Sequence, residues 1–220
     1  MRGSIRLYYH PLASYCWKVL IALHENGTRF ERRIIDLGDA AHRAELSALW
    51  PLCKFPVLRA DDRVVAESSV IVEYLDRHHT GRRSLFPEDA DTALEVRLWD
   101  RVFDHYVQTP MQEIVLDQLR GVHGDLSGAY RTLTTAYEMA DEQLASSPWI
   151  VGDEFSAADC AAAPALFYAV TLQPFPSHCT RLSAYFERLV ERPSVRRTLE
   201  DAKPYFQDYP FVSAVPSRFR

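Results

Sequence analysis

The fold is decided by residues 55–75, Phe55-Pro56-Val57-Leu58-Arg59-Ala60-Asp61-Asp62-Arg63-Val64-Val65-Ala66-Glu67-Ser68-Ser69-Val70-Ile71-Val72-Glu73-Tyr74-Leu75. Pro56 to Leu58 and Val64 to Ala66 are short β-type runs, and the polar Asp61-Asp62-Arg63 between them predicts an antiparallel hairpin. Ser68 or Ser69 then opens a helix, because a short hydroxyl side chain can accept from first-turn N–H groups. Val70, Ile71, Tyr74 and Leu75 follow at helical spacing.

Upstream of this stretch the pattern alternates. Ile5 to His10 reads as a strand ended by Pro11, and Ser14 caps a helix through about Glu25, with Trp17, Leu20, Ile21 and His24 on one face and Asn26-Gly27 as its stop. Phe30 to Ile35 is a second strand, and Ala40 to Leu49 a helix ended by Trp50-Pro51. The order is βαβαββα, which specifies a small α/β layer, parallel at first and antiparallel at its end.

Downstream the strand signals cease after Thr80-Gly81. A linker carrying Phe86-Pro87 leads to Asp91, and helical patterns run from about Thr92 to Leu119, from Leu126 to Leu144, and from Ser156, with shorter ones near His178 and Ser194. The expected organisation is an α/β domain over residues 1–80, a linker over 81–90 and an all-helical domain over 91–220. Phe155-Ser156-Ala157-Ala158-Asp159 is a strongly written helix start with Ser at the cap and Asp three residues on; Asp159 is assigned to folding and not to catalysis.

At 220 residues and 25.3 kDa the chain can bury a substantial core, and 47% hydrophobic with 25% charged residues is ordinary globular composition. Net charge −5 argues against a nucleic-acid partner. No apolar run is long enough for a membrane span and no secretory leader is read at the start, so a cytoplasmic protein is expected. Cys16, Cys53, Cys160 and Cys179 have no metal-ligand or disulfide spacing, and His42 with Glu45 three residues on is too sparse a pair for a metal, so none is expected. Residues 1–80 hold eleven basic and ten acidic side chains, the remainder fourteen and twenty, which places an anionic ligand better on the first domain.

The chain resembles the cytosolic glutathione transferases. The likeness rests on the βαβαββα order with Phe55-Pro56 before the third strand, Glu67-Ser68-Ser69 opening the last helix, and Phe-Ser-x-x-Asp in a helical second domain. His10-Pro11-Leu12-Ala13-Ser14-Tyr15-Cys16-Trp17-Lys18-Val19 is most similar to serine-using bacterial members, with some similarity to the zeta and theta classes. The resemblance implies a thioredoxin-like first domain, glutathione as co-substrate, attack of its thiolate on a small hydrophobic electrophile, and a homodimer. Many relatives keep their catalytic Ser or Cys where this chain has Ala13, so Ser14 becomes the candidate catalytic hydroxyl; its other reading is a helix cap. Cys16 is read as a buried structural thiol more readily than as a nucleophile.

By the same resemblance, a cis proline at Pro56 exposes the N–H and C=O of Phe55 for the cysteinyl backbone of glutathione. Glu67 receives the γ-glutamyl ammonium and Ser68 its carboxylate, against the alternative of an ordinary helix cap with a first-turn acid. Lys54, and more weakly His42, pair with the glycyl carboxylate. Tyr106 and Met111, with Tyr205, Phe206 and Tyr209 of the tail, are the candidate electrophile wall. Two other functions fit the same residues: a glutathione-dependent disulfide-bond reductase, and a catalytically inert relative used for protein contacts.

Overall fold

The computed structural model describes residues 4–79, 81 and 84–220. The first lobe runs β1 (Ile5–Tyr9), α1 (Ser14–Asn26), β2 (Glu31–Ile34), α2 (Ala40–Leu49), β3 (Val57–Ala60), β4 (Arg63–Ala66) and α3 (Ser68–His78). Its sheet has the order β2-β1-β3-β4, with β1 parallel to β2 and antiparallel to β3, and β3 antiparallel to β4. A parallel pair needs a crossover, which α1 provides, whereas β3 and β4 are joined by the short turn at Asp61-Asp62. The second lobe holds α4 (Ala90–Val102), α5 (Thr109–Arg120), α6 (Ser127–Gln143), α7 (Ala157–Leu172), α8 (Thr180–Glu191) and α9 (Pro193–Ala202), followed by 3₁₀ turns. These are a thioredoxin-like α/β lobe and an all-α lobe.

The helix anticipated over Thr92 to Leu119 is interrupted. Residues Phe103–Gln108 form a π turn between α4 and α5, just ahead of Pro110, which has no N–H to continue the ladder. The start of α1 differs from expectation, Ala13 and not Ser14 being the capping residue, while α3 opens at Ser68 as expected, preceded by Glu67 at φ 68°. A non-glycine residue in this left-handed region is strained, and such residues gather where function requires a set geometry.

Helix α1 is buried all round. It packs on α3 of its own lobe and on α7 and α9 of the second, and its apolar side chains share one core with Ile5, Leu7 and Tyr9 of β1. Helix α7 is correspondingly buried on every face from Ala157 to Ala169 and apolar but for Asp159 and the Tyr168 hydroxyl, as suits a central helix. A smaller core of Tyr8, Ile35, Leu46 and Val57 lies between the sheet and α2. Gly81 passes so close to the end of α1 that a Cβ there would collide with the Asn26 backbone. Arg192 pairs with Glu25 of α1 at 2.7 Å and tightens the joint between lobes. Asp159 is fully buried and accepts from the N–H and hydroxyl of Ser156, the N–H of Ile150 and the Tyr185 hydroxyl, a structural role that accounts for all of its contacts.

Candidate active site

A groove of about 330 Å³ lies where the start of α1, the loop before β3 and the start of α3 meet α4 and α5. Its first-lobe wall carries Tyr15, Trp50, Lys54, Phe55, Pro56, Glu67, Ser68 and Ser69; Arg101, Asp104, His105, Thr109 and Gln112 face them. Lys54, Phe55, Pro56, Glu67 and Ser68, read from sequence as a binding set, are thus brought together. The Phe55–Pro56 peptide is cis, and among the described residues neither the N–H nor the C=O of Phe55 is used in a hydrogen bond. Ser68 is buried, while Glu67 and Lys54 are exposed and form no ion pair among the described residues. Among the described residues the wall therefore offers a free anion, a free cation and an unsatisfied stretch of main chain, which suits an extended zwitterionic ligand.

Ser14 is placed elsewhere. It is buried and faces a small void with Lys18, Gln108, Ala161, Pro164 and Ala165, behind the groove and toward α7. Tyr15, one residue on and rotated by about 100° as helix geometry dictates, does line the groove. Its hydroxyl donates over a long 3.4 Å to the Asp104 carbonyl, and burial with the nearby Asp104 charge pushes it up to about 12. The N–H groups of Ser14 and Tyr15, first in α1, have no partner among the described residues, so the positive end of the helix points outward here. Cys16 is wholly buried, and desolvation raises its thiol far out of the reactive range.

Three further expected residues lie outside the groove. His42 is half-buried on α2 and its Nδ1 accepts from the N–H of Asp36 at 3.1 Å. Tyr106 turns with the π turn into a different cleft, beside Arg131 and Met139 of α6. Met111 is buried in the core of the helical lobe. In the tail, Phe206 stacks on Phe167 and the Tyr209 hydroxyl bonds Thr171 at 2.8 Å, both as core. Tyr205 meets the edge of His10, whose ring stacks on Phe55, so the tail does reach the groove through His10.

Trp50, Arg101, His105 and Gln112 had no sequence signal; a charge on an amphipathic helix is ordinarily solvated. Lys18 is the main residue that sequence reasoning missed. It is 1% exposed, and its ammonium lies 2.5 Å from Asp100, 2.9 Å from Asp104 and 2.7 Å from the Ser69 hydroxyl. Among the described residues no group of three or more His, Cys, Asp or Glu is arranged to hold a metal, and no helix is long and apolar enough to cross a membrane.

A thioredoxin-like lobe with an open groove at its cis-proline loop, backed by an all-helical lobe, is the architecture of a thiol-binding transferase. The glutathione S-transferase N-terminal domain model matches residues 13–78, and the C-terminal domain model residues 128–193. The chain belongs to the glutathione transferase superfamily, a family of enzymes. It is 29% identical to maleylacetoacetate isomerase of Rattus norvegicus over 80% of this chain and 84% of that one, and 28% identical to glutathione S-transferase 3 of Zea mays over 90% and 94%. Glutathione transferase F7 of Populus trichocarpa superposes with a TM-score of 0.78 at 26% identity, covering 90% of this chain and 99% of that chain. A Methylobacillus flagellatus glutathione S-transferase crystallised with glutathione bound superposes at 0.76 over 89% and 98%; at 24% identity it shows the shared fold alone.

Proposed function

We propose that the groove binds glutathione extended along the first-lobe wall and delivers its thiolate to a small hydrophobic electrophile. Convergence of Phe55–Pro56, Glu67–Ser68 and Lys54 on one groove, with the Phe55 main chain unsatisfied, carries this reading. The cysteinyl backbone adds to Phe55 as a short extra strand, Glu67 takes the γ-glutamyl ammonium, Ser68 and the start of α3 take its carboxylate, and Lys54 takes the glycyl carboxylate. The protein would act as a cytoplasmic homodimer.

Glutathione's thiol must be held as the anion near neutral pH. A shift of about two units needs roughly 2.7 kcal/mol. A helix start contributes on the order of 0.3–1 kcal/mol, up to ~2 when partly buried, and a hydrogen bond to a charged acceptor about 1.5–3 kcal/mol. The two together suffice. Ser14, buried beside the void, can still supply its N–H at the start of α1, while Tyr15 lines the groove and its hydroxyl, protonated at neutral pH, meets the Asp104 carbonyl over a long 3.4 Å and the Thr109 side chain. We assign the hydroxyl donor to Tyr15 and the main-chain donor to Ser14.

The maleylacetoacetate isomerases among the relatives favour an activated double bond as electrophile. Thiolate addition forms the C–S bond and moves the π electrons to the conjugated carbonyl oxygen. Proton uptake then gives a conjugate, whereas rotation followed by thiolate expulsion gives the isomer. Titration of bound thiolate by its absorbance near ~240 nm tests the assignment. Tyr15→Phe should raise the thiol pKa by about one to two units and Ser14→Ala leave it near wild type. The reverse result returns the role to Ser14, and no detectable glutathione binding by the wild type refutes the function.

A further inference from the structure

Resting on that reading, we propose that Arg101 of α4 is a further glutathione-binding residue, gripping the α-carboxylate of the γ-glutamyl end, and that Asp100, Asp104 and buried Lys18 are positioning residues that aim it. Arg101 lines the groove and its side chain is 45% exposed. Its Nε lies 3.1 Å and its Nη2 2.5 Å from Asp100, and Nη2 also lies 2.7 Å from Asp104 and against the Ser69 hydroxyl. Its Nη1 makes no hydrogen bond among the described residues, which leaves two N–H donors uncommitted on a guanidinium fixed along its other edge.

Electrostatics identify what those donors do. Lys18 and Arg101 share the two carboxylates of Asp100 and Asp104, so the cluster is neutral overall and does not act as a diffuse attractor for any anion. What it provides is direction: an otherwise floppy arginine is held before the ligand arrives, so little side-chain freedom is lost on binding. Position chooses the end of the ligand. Arg101 touches Ser69, next to Ser68 and Glu67, whereas Lys54 sits on the other side of Phe55 in the chain. An α-amino acid terminus bears an ammonium and a carboxylate on one carbon, and Glu67 and Arg101, which line the same groove, supply the matching opposite charges.

The test is calorimetry with three ligands: glutathione, γ-aminobutyryl-cysteinyl-glycine, which lacks only the α-carboxylate, and glutathione with its glycine carboxylate amidated. Wild type should bind the decarboxylated ligand about ten- to a hundredfold more weakly than glutathione, the range for hydrogen bonds to a charged group. Arg101→Gln should lose a similar factor for glutathione yet bind the decarboxylated ligand within about threefold of wild type, and should leave the penalty for the amidated ligand unchanged. Asp104→Asn should shrink the discrimination against the decarboxylated ligand alone, which a general loss of stability would not do. Equal weakening of both ligands by Arg101→Gln, or no weakening, overturns the assignment. Should that variant not fold, equal wild-type affinity for glutathione and the decarboxylated ligand overturns it by itself, and a tenfold preference retained by Arg101→Lys supports it. Wild type that binds none of the three refutes the underlying function instead.

Discussion

Replacing Lys18 with methionine keeps the length of the side chain and removes its charge from a site where it is 1% exposed. Among the described residues the variant leaves Asp100 and Asp104, themselves 8% and 9% exposed, with the half-exposed guanidinium of Arg101 and the Ser69 hydroxyl for compensation. Breaking a buried pair by deleting one partner costs about 3–5 kcal/mol, because the remaining charge stays desolvated. For a chain of this size each kcal/mol lowers the melting midpoint by roughly 2–4 °C, so Lys18→Met should fall by about 6–20 °C. Urea unfolding should show a lower midpoint at unchanged slope, since the buried surface hardly changes. Adding Asp100→Asn and Asp104→Asn to Lys18→Met removes the orphaned charges and should recover much of the loss, although each single change destabilises. Arg77→Ala, which deletes an exposed i,i+4 pair with Glu73, should cost no more than about 0.5 kcal/mol. A Lys18→Met midpoint within about 2 °C of wild type, or a triple variant no more stable than the single one, would show that this cluster does not bear the buried charges as described.

Further outcomes follow from the site and the core. Glu67→Ala and Ser68→Ala should each weaken glutathione binding by about 1.5–3 kcal/mol in calorimetry while remaining folded; unchanged affinity leaves them as helix-start residues only. His24 is pushed down to about 4 by burial, with Arg197 and Arg32 adding to it, and its Nε2 is buried without a hydrogen-bond partner among the described residues. Between about pH 6.5 and 4 the unfolded chain takes up a proton there that the folded protein refuses, so this contribution is whole above 6.5 and is lost as pH falls, up to about 3 kcal/mol; His24→Phe should flatten that slope in unfolding curves. Asp159→Ala should destabilise by several kcal/mol, by leaving buried donors unsatisfied, yet leave glutathione affinity within about twofold once folded. Leu94 and Leu98, one turn apart on α4, and Val70 of α3 are each more than half exposed; light scattering should report a two-fold dimer that Leu94→Asp with Leu98→Asp dissociates, and a wild-type particle of 25.3 kDa at micromolar concentration refutes it.

The amino-acid sequence by itself determined the order of elements, because strands, turns and caps are written in neighbouring residues. Alternation in Ile5 to Tyr9, Asn26-Gly27 after α1, Asp61-Asp62 between β3 and β4 and Ser156 with Asp159 each act within a few positions. The pairing of Phe55–Pro56 with Glu67–Ser68 was legible for the same reason, as both flank one hairpin. What only the tertiary structure decided are the directions in which side chains face and the partners that lie far off in sequence. Trp17, Leu20, Ile21 and His24 marked one inward face of α1, and Trp17 indeed meets Phe167 and Tyr168 of α7, but Lys18, off that face, is buried as well, against carboxylates more than eighty positions away. That second burial also turned Ser14 toward α7 and left Tyr15 in the groove. The π turn before Pro110 likewise carried Tyr106 to another cleft, while Arg101 reached the groove from a helix whose charge pattern resembles any solvated face. A local pattern states that a residue is on a helix; which neighbour claims each face is settled by packing, because the free energy of a buried charge or hydroxyl depends on atoms that the sequence brings close only in the folded chain.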